Sequence, residues 1–275
     1  MEIYQGIILG IVQGLTEFLP VSSSGHLVLG QRFLGITEPA LAFDISVHMG
    51  TFMATAVVFR KEILSILKSL WGFGLKAAAF RINRGDLQND SDIRISLLII
   101  TGSIPTACIG FFLKHFEHMI FSSVTLVGIM LIFTGTFLWL TRFWDHKGKG
   151  VEGFKYRTAF WVGVCQGLAV IPGVSRSGFT ISAAVFAGID RRTAAKFSFL
   201  LSLPAIFGAQ ILSLKDTVNH DAAFSSATLY GTVFSFITGY LALVLLLKIV
   251  NQGKFYMFAP YCWILGVFAL LSALI

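Results

Sequence analysis

The sequence predicts an all-α integral membrane protein with six transmembrane helices and two re-entrant helix hairpins, arranged as an inverted-topology repeat. Its composition excludes a soluble domain: 55% of the 275 residues are hydrophobic and only 13% are charged, against about 25% charged in soluble domains. The apolar stretches are long and continuous, unlike the alternating segments of about 10 residues that build an outer-membrane barrel. A helical membrane protein is the class that remains.

Six apolar segments are long enough to cross a hydrocarbon core of about 30 Å. They cover residues 41–59, 95–113, 119–140, 194–214, 224–250 and 256–275. Residues 62–80 mix apolar and basic side chains, which is typical of a helix that lies in the membrane interface.

Two further apolar segments, 1–35 and 158–190, are interrupted near their middle by Pro20 and by Pro172-Gly173. Each half has only about 13–18 residues, too few to span a bilayer comfortably. The lysines and arginines concentrate in loops 60–94 and 141–157, which should therefore both be cytoplasmic. The two loops lie on the same side of the membrane only if each broken segment returns to the side from which it enters. We therefore predict two re-entrant hairpins and both termini outside. The same distribution explains the net charge of +7 without a nucleic-acid partner.

An internal repeat relates the two broken segments. When residues 10–25 are laid over residues 163–178 without a gap, eight of 16 positions are identical. Three predicted spans separate the copies, and an odd number inverts the second copy relative to the first. This predicts the inverted repeat of many transporters, whose broken helices meet near the membrane midplane. Repeat one then covers 1–140 (hairpin 1–35), a cytoplasmic loop covers 141–157, and repeat two covers 158–275 (hairpin 158–190).

The first hairpin carries polar residues at its break. Gln13 and Glu17 are four residues apart and share a helix face, and that helix must end near Leu19 because Pro20 disfavours a helical conformation at the residue before it. Several small polar residues then open a new helix, whose N-terminus is a ready anion site. They are Ser22, Ser23, Ser24, Gly25 and, just inside the helix, His26.

The second hairpin carries Ser175, Arg176, Ser177 and Thr180 at the equivalent place. An arginine at membrane depth costs at least several kcal/mol unless it is paired. Its natural partners are Glu17 or a phosphate bound by two hydrogen bonds. If the two hairpin tips meet, they form a phosphate cradle inside the membrane, and its ligand is expected to be a lipid phosphate.

Simpler interpretations remain for single residues. The serines could be only helix caps, Glu17 and Arg176 a purely structural ion pair, and His26 a hydrogen-bonded histidine. His48 is interpreted as structural, and the three cysteines as small buried side chains that form no metal site or disulfide.

Residues 13–26 and 172–180 resemble the two signatures of the bacitracin-resistance family of undecaprenyl-diphosphate phosphatases, and the resemblance extends over essentially the whole chain. It implies hydrolysis of undecaprenyl diphosphate to the monophosphate and inorganic phosphate, which recycles the lipid carrier of peptidoglycan synthesis and confers bacitracin resistance. It places the protein in the bacterial inner membrane, with its site open to the periplasmic face. The chain departs from the family pattern at Gln13, where an amide cannot act as a base, and at Phe179, where a smaller residue is expected.

On this basis we expect four catalytic residues, with Arg176 holding the phosphate, Ser23 as nucleophile and Glu17 or His26 as its base. The expected substrate-binding residues are Gln13, Ser22, Ser24, Gly25, Ser175, Ser177 and Thr180. A divalent cation, Mg²⁺ or Ca²⁺, is expected on Glu17 and Gln13, because hard cations prefer oxygen ligands.

The principal alternative function is a transporter or flippase of a lipid-linked phosphate, which an inverted repeat fits equally well. Direct attack by water remains the alternative to a serine nucleophile. The expected partners are a polyprenyl diphosphate and membrane lipid, and the sequence leaves the oligomeric state open, a homodimer included.

Overall fold

The structure, a computed structural model, describes residues 1–36, 41–78, 90–116, 120, 123–144, 148–217 and 225–273. In this part of the chain it is all-helical, without a β-strand. The helices are α1 (Ile3–Phe18), α2 (Ser23–Phe33), α3 (Leu41–Val58), α4 (Arg60–Ala78), α5 (Ser91–Lys114), α6 (Val124–Leu140), α7 (Tyr156–Leu168), α8 (Arg176–Phe186), α9 (Arg191–Thr217), α10 (Ser226–Asn251) and α11 (Ala259–Ser272).

Five of the described helices, α5, α6, α9, α10 and α11, are long and apolar enough to cross a membrane. A sixth span arises if α3 is counted together with α4, which bends away from it by 75°. These helices lie at the six predicted spans, and the chain is a multi-pass helical membrane protein. In α4 the exposed side chains include Leu64, Leu67 and Trp71, as expected for a helix that rests on the membrane surface. Parts of the predicted cytoplasmic segments lie outside the described residues. They are residues 79–80 of the predicted interfacial segment, residues 81–89 of the basic loop that follows it, and residues 145–147 of the loop 141–157.

Both predicted helix breaks are confirmed. Helix α1 ends at Phe18 and α2 begins at Ser23, on either side of Pro20. Helix α7 ends at Leu168 and α8 begins at Arg176. In the second break Gly173 has a φ of 93°, a left-handed conformation that favours glycine.

The helix pairing follows the internal repeat. Helix α1 packs on α10 and its repeat counterpart α7 packs on α5, while α3 packs on α10 and its counterpart α9 packs on α5. Helix α6 packs on its own counterpart, α11. Each broken helix therefore lies against a helix from the other half of the chain, and the largest apolar cluster contains residues from both halves.

Two close helix crossings hold the broken helices in place. A Cβ atom at Gly10 of α1 would lie 2.2 Å from the carbonyl oxygen of Gly231, and a Cβ atom at Gly163 of α7 would lie 2.1 Å from that of Gly102. Gly10 and Gly163 are equivalent positions of the sequence repeat. Glycines at such crossings let backbones approach within dispersion distance, the main attraction between helices in lipid.

Phe18, the last residue of α1, anchors the first break in the core. Its side chain is 1% exposed, and its ring packs edge to face on Phe199 of α9, with the centroids 5.9 Å apart. This contact fixes the end of α1, and with it the neighbouring Glu17.

The close crossing of α1 and α10 generates the first prediction. Gly10→Ala should destabilise the protein by about 1–3 kcal/mol and lower its melting temperature in detergent by about 5 °C, because the added methyl group cannot fit beside the Gly231 carbonyl. Gly208→Ala in α9 is the matched control, since its Cβ would meet nothing within 4 Å. An equal melting temperature for the two variants would show that the crossing is not close-packed.

Candidate active site

The carboxylate of Glu17 joins the two hairpin tips. Its Oε1 accepts a hydrogen bond of 2.6 Å from Nη2 of Arg176, across 159 positions of sequence. Its Oε2 accepts hydrogen bonds from Oγ of Ser23 at 2.7 Å and from Nε2 of Gln13 at 3.0 Å. The structure therefore brings together Gln13, Glu17, Ser23 and Arg176, four of the residues expected to form the site.

The pairing satisfies two charges that are largely removed from solvent. The side chain of Glu17 is 7% exposed and that of Arg176 is 19% exposed. A buried charge without a partner is strongly destabilising, so each of these residues stabilises the placement of the other. A guanidinium group has five N–H donors in a planar fork. Because Arg176 binds Glu17 through one nitrogen and stays partly exposed, the rest of its fork can bind an anion.

Hydrogen bonds to backbone atoms hold the tips against each other. The amide of Gly173 donates to Oγ of Ser22 at 3.0 Å, and Oγ of Ser177 donates to the carbonyl of Phe18 at 2.8 Å. Thr134 of α6 donates to the carbonyl of Gly173 and accepts from the amide of Ser175. Cys262 of α11 donates to the carbonyl of Pro20.

The two helices that start at the tips differ in their N-terminal capping. Ser175 caps α8 by accepting a hydrogen bond from the amide of Gly178 at 3.2 Å. Ser22, its counterpart, makes no side-chain cap on α2 and has a φ of 68°. A left-handed conformation costs a residue with a side chain about 1–3 kcal/mol and is concentrated at functional sites. The uncapped N-terminus of α2 leaves amide groups and a partial positive charge for an anion.

His26 lies on the other side of this helix start. Its Nδ1–H donates to the carbonyl of Ser22 at 2.8 Å, so Nε2 is left to accept from the hydroxyl of Tyr261 at 2.6 Å. The two rings are stacked, with centroids 5.8 Å apart. Among the contacts of the described residues, none joins His26 to Glu17, Ser23 or Arg176. Its predicted catalytic role stays a prediction.

Two residues near the site were not predicted to belong to it. His48, which the sequence favoured as structural, places Nε2 3.8 Å from Oε2 of Glu17, while its Nδ1–H donates to the carbonyl of Asp44 at 2.8 Å. Tyr261 contacts His26 as described above. A titratable side chain at membrane depth indicates a functional residue. This rule, applied to the sequence, would have identified His48 as a candidate site residue.

Comparison with known proteins decides the family. The profile of the family described as "Bacitracin resistance protein BacA" matches residues 6–268. The chain is 56% identical over 275 residues to an undecaprenyl-diphosphatase of Desulforapulum autotrophicum, with both chains covered in full. It is 54% identical to one from Desulfosudis oleivorans, with 97% of each chain covered. It is 45% identical to one from Carboxydothermus hydrogenoformans, with 97% of this chain and 96% of the relative covered.

The chain belongs to the bacitracin-resistance family. This membership confirms the resemblance that residues 13–26 and 172–180 indicate, and in the structure these two signatures form the hairpin tips that carry Glu17, Ser23 and Arg176.

In this protein, three of the expected phosphate-binding hydroxyls of the second hairpin already take part in hydrogen bonds with other protein atoms. Ser175 caps α8, Ser177 binds the carbonyl of Phe18, and Thr180 donates to the carbonyl of Arg176 and bonds with Ser198. Ser175, Ser177 and Thr180 are each at most 3% exposed. A phosphate could bind them only if these bonds were exchanged, so their predicted binding role stays a prediction.

Two further expected binding residues lie in the first hairpin. Oγ of Ser24 lies 3.4 Å from Oγ of Ser22, and the side chain of Ser24 is half-buried. Gly25 is buried, and a Cβ atom there would make only an ordinary contact, 3.6 Å from the side chain of Val127. The packing around Gly25 therefore does not require glycine.

Gln13 offers an amide oxygen near Glu17 that could bind a hard cation. Its Nε2 donates to Glu17, while its Oε1 is buried and has no hydrogen-bond partner among the described residues, so this oxygen is left for a ligand. The described residues contain no group of three His, Cys, Asp or Glu side chains that could bind a metal by themselves. Mg²⁺ commonly needs only one or two carboxylates when substrate phosphates supply further oxygens. The residues present therefore fit a cation that binds together with a phosphate.

Proposed function

We propose that the protein hydrolyses undecaprenyl diphosphate to undecaprenyl phosphate and inorganic phosphate, which recycles the lipid carrier of peptidoglycan synthesis and confers bacitracin resistance. Three curated relatives that align over nearly their whole length carry the name undecaprenyl-diphosphatase. The observation that carries the proposal for this chain is the convergence of Arg176, Ser23 and Glu17 beside an uncapped helix N-terminus.

The geometry supports nucleophilic attack by Ser23. Its Oγ donates to Oε2 of Glu17 at 2.7 Å, so the carboxylate can take the proton as Oγ bonds to the terminal phosphorus. The bond from phosphorus to the bridging oxygen breaks, and undecaprenyl phosphate leaves. Water then displaces Ser23 from phosphorus and releases inorganic phosphate. Arg176 and the α2 amides stabilise the charge on the phosphoryl oxygens, the largest contribution that a protein makes in such transfers.

We further propose that Glu17 and Gln13 hold a divalent cation, Mg²⁺ or Ca²⁺, together with the substrate. When bound, such an ion neutralises charge on the diphosphate oxygens. The unpartnered Oε1 of Gln13 supports this assignment. Ser22 and Ser24 complete the binding residues on the first hairpin, while Ser175, Ser177 and Thr180 keep the second hairpin in shape around Arg176.

The proposed setting is the bacterial inner membrane. The protein would cross it six times, with both hairpins re-entrant, the basic loops cytoplasmic and the active site open to the periplasmic face. The exchange of helix partners between the two halves supports an inverted repeat, and the positive-inside rule supports the orientation.

The same exchange of partners favours a second candidate function, a flippase of a lipid-linked phosphate. Hydrolysis in detergent micelles separates the two functions, because micelles offer no second side to which a lipid could be moved.

The central experiment measures phosphate release from undecaprenyl diphosphate by the purified protein in micelles. We expect turnover in the presence of Mg²⁺ or Ca²⁺, loss of turnover with a chelator, and recovery when the ion is restored. No phosphate release under any of these conditions would exclude the hydrolase and leave the flippase. Release that a chelator does not affect would exclude the cation.

Arg176→Ala should abolish hydrolysis and, because it leaves the buried carboxylate of Glu17 without its guanidinium partner, should also lower the melting temperature. Removing the guanidinium takes away charge stabilisation of the transferred phosphoryl group, which should cost at least about 10³-fold in kcat. The exposed Arg157 at the start of α7 provides the control Arg157→Ala, which should retain the wild-type rate. Near-normal turnover by a well-folded Arg176→Ala protein would place the active site elsewhere.

Ser23→Ala should lose far more activity than Ser22→Ala or Ser24→Ala, because only Ser23 donates to Glu17. The measurement is the single-turnover rate of phosphate release, with the melting temperature checked for each variant. If Ser23→Ala keeps more than about a tenth of the wild-type rate, a change of less than about 1.4 kcal/mol in the activation free energy, water rather than Ser23 attacks the phosphorus.

A further inference from the structure

Two hydrogen bonds establish which residues of α6 and α11 are equivalent in the repeat. Thr134 of α6 donates to the carbonyl of Gly173 in the second tip, and Cys262 of α11 donates to that of Pro20 in the first tip. Pro20 and Gly173 are equivalent in the ungapped alignment of the two hairpins. Thr134 and Cys262 are therefore equivalent, and so are their preceding neighbours, Phe133 and Tyr261.

The same equivalence appears independently in a pair of rings. At the second hairpin Phe179 of α8 packs edge to face on Phe133 of α6, with centroids 5.4 Å apart. At the first hairpin His26 of α2 stacks on Tyr261 of α11, with centroids 5.8 Å apart. His26 aligns with Phe179, so an apolar pair joins α8 to α6 at the position where a polar pair joins α2 to α11.

Beyond the Phe179–Phe133 and His26–Tyr261 pairs, the two hairpins differ in how many aromatic side chains pack against them. Phe137 of α6 contacts both Phe179 and Phe186, and Phe186 also contacts Trp144. These rings close the space between α8 and α6. At the first hairpin the equivalents of Phe137 and Trp144 are Leu265 and Ser272 of α11, and the equivalent of Phe186 is Phe33, which is 88% exposed.

Helix α2 is also less firmly packed than its counterpart. Only Gly25 and Leu27 are buried in α2, whereas most of α8 is buried. Helix α8 packs on α6, α7 and α9, while α2 packs mainly on α1. Along the helix faces that carry His26 and Tyr261, a strip of exposed side chains between α2 and α11, Phe33, Ile264 and Phe268, is left without an aromatic cover.

We propose that this open strip between α2 and α11 is where the prenyl chain of the lipid diphosphate lies as it passes from the active site into the bilayer. The inference rests on the proposed function. The strip is continuous with the site, since His26 binds the carbonyl of Ser22, next to Ser23, and it is apolar along its length. Tyr261 and His26 stand at its inner end, where a polar pair suits the boundary between a diphosphate and its hydrocarbon chain.

Placing at the first hairpin the aromatic rings that cover the second hairpin tests the proposal. The double variant Leu265→Phe, Ser272→Trp should lower kcat/KM for undecaprenyl diphosphate by at least about tenfold, the scale on which a filled apolar pocket discriminates. Hydrolysis of isopentenyl diphosphate, which has only five carbons, should be unchanged. Phe137→Leu, which removes a ring that covers the second hairpin instead, is the matched control and should not change the ratio of the two activities. An equal effect of the double variant on both substrates, or no effect on the long one, would overturn the proposal.

A second measurement does not depend on hydrolysis. A prenyl diphosphate that carries a benzophenone in its chain is bound to the wild-type protein in micelles, and the labelled peptides are mapped after irradiation. Labels on α2 and α11 support the proposed path. Labels on α6 and α8, or on neither pair, contradict it. If no substrate is hydrolysed but α2 and α11 are labelled, the proposed hydrolase fails while the lipid path stands.

Discussion

The ion pair between Glu17 and Arg176 is the interaction on which the functional site depends. Each residue stands at a helix break inside a membrane protein, where an unpaired charge would be strongly destabilising. The 2.6 Å contact between them requires both hairpins to end at the same depth. That in turn requires the close crossings of α1 on α10 and of α7 on α5, and the core position of Phe18. The ion pair between Glu17 and Arg176 therefore depends on the positions of both helix breaks and on the glycines at the two helix crossings.

The two halves share a scaffold, and the chemistry lies where they differ. Glu17 is equivalent to Val170, Ser23 to Arg176 and His26 to Phe179. The shared positions, such as Gly10 and Gly163, explain the helix crossings. The unshared positions supply a carboxylate, a hydroxyl, an imidazole and a guanidinium, which a symmetric site could not bring together. The two hairpins also differ outside the site, because aromatic rings pack against α8 whereas the equivalent side of α2 is exposed.

Much of this arrangement could be predicted from the sequence because its signals are local or repeated. Hydrophobic length predicts the spans, Pro20 and Gly173 mark the breaks, and the cost of an intramembrane arginine predicts a partner for Arg176. Contacts between distant helices could not be predicted in the same way. His48 and Tyr261 come from α3 and α11, and nothing in their local sequence gives their distance from Glu17 or His26. The use of Ser175 and Ser177 in holding the hairpin together was equally hidden, because a cap and a phosphate ligand have the same sequence signature.

A double-mutant cycle on phosphate release measures the central pair most directly. Glu17→Gln, Arg176→Gln and the double variant are compared with the wild-type protein by kcat/KM for undecaprenyl diphosphate. If the two side chains act as one unit, the double variant should lose little more activity than the worse single variant, with a coupling free energy of about 1–3 kcal/mol. Additive losses, with a coupling free energy near zero, would contradict the account, because they would mean that the two hairpin tips act on the substrate independently.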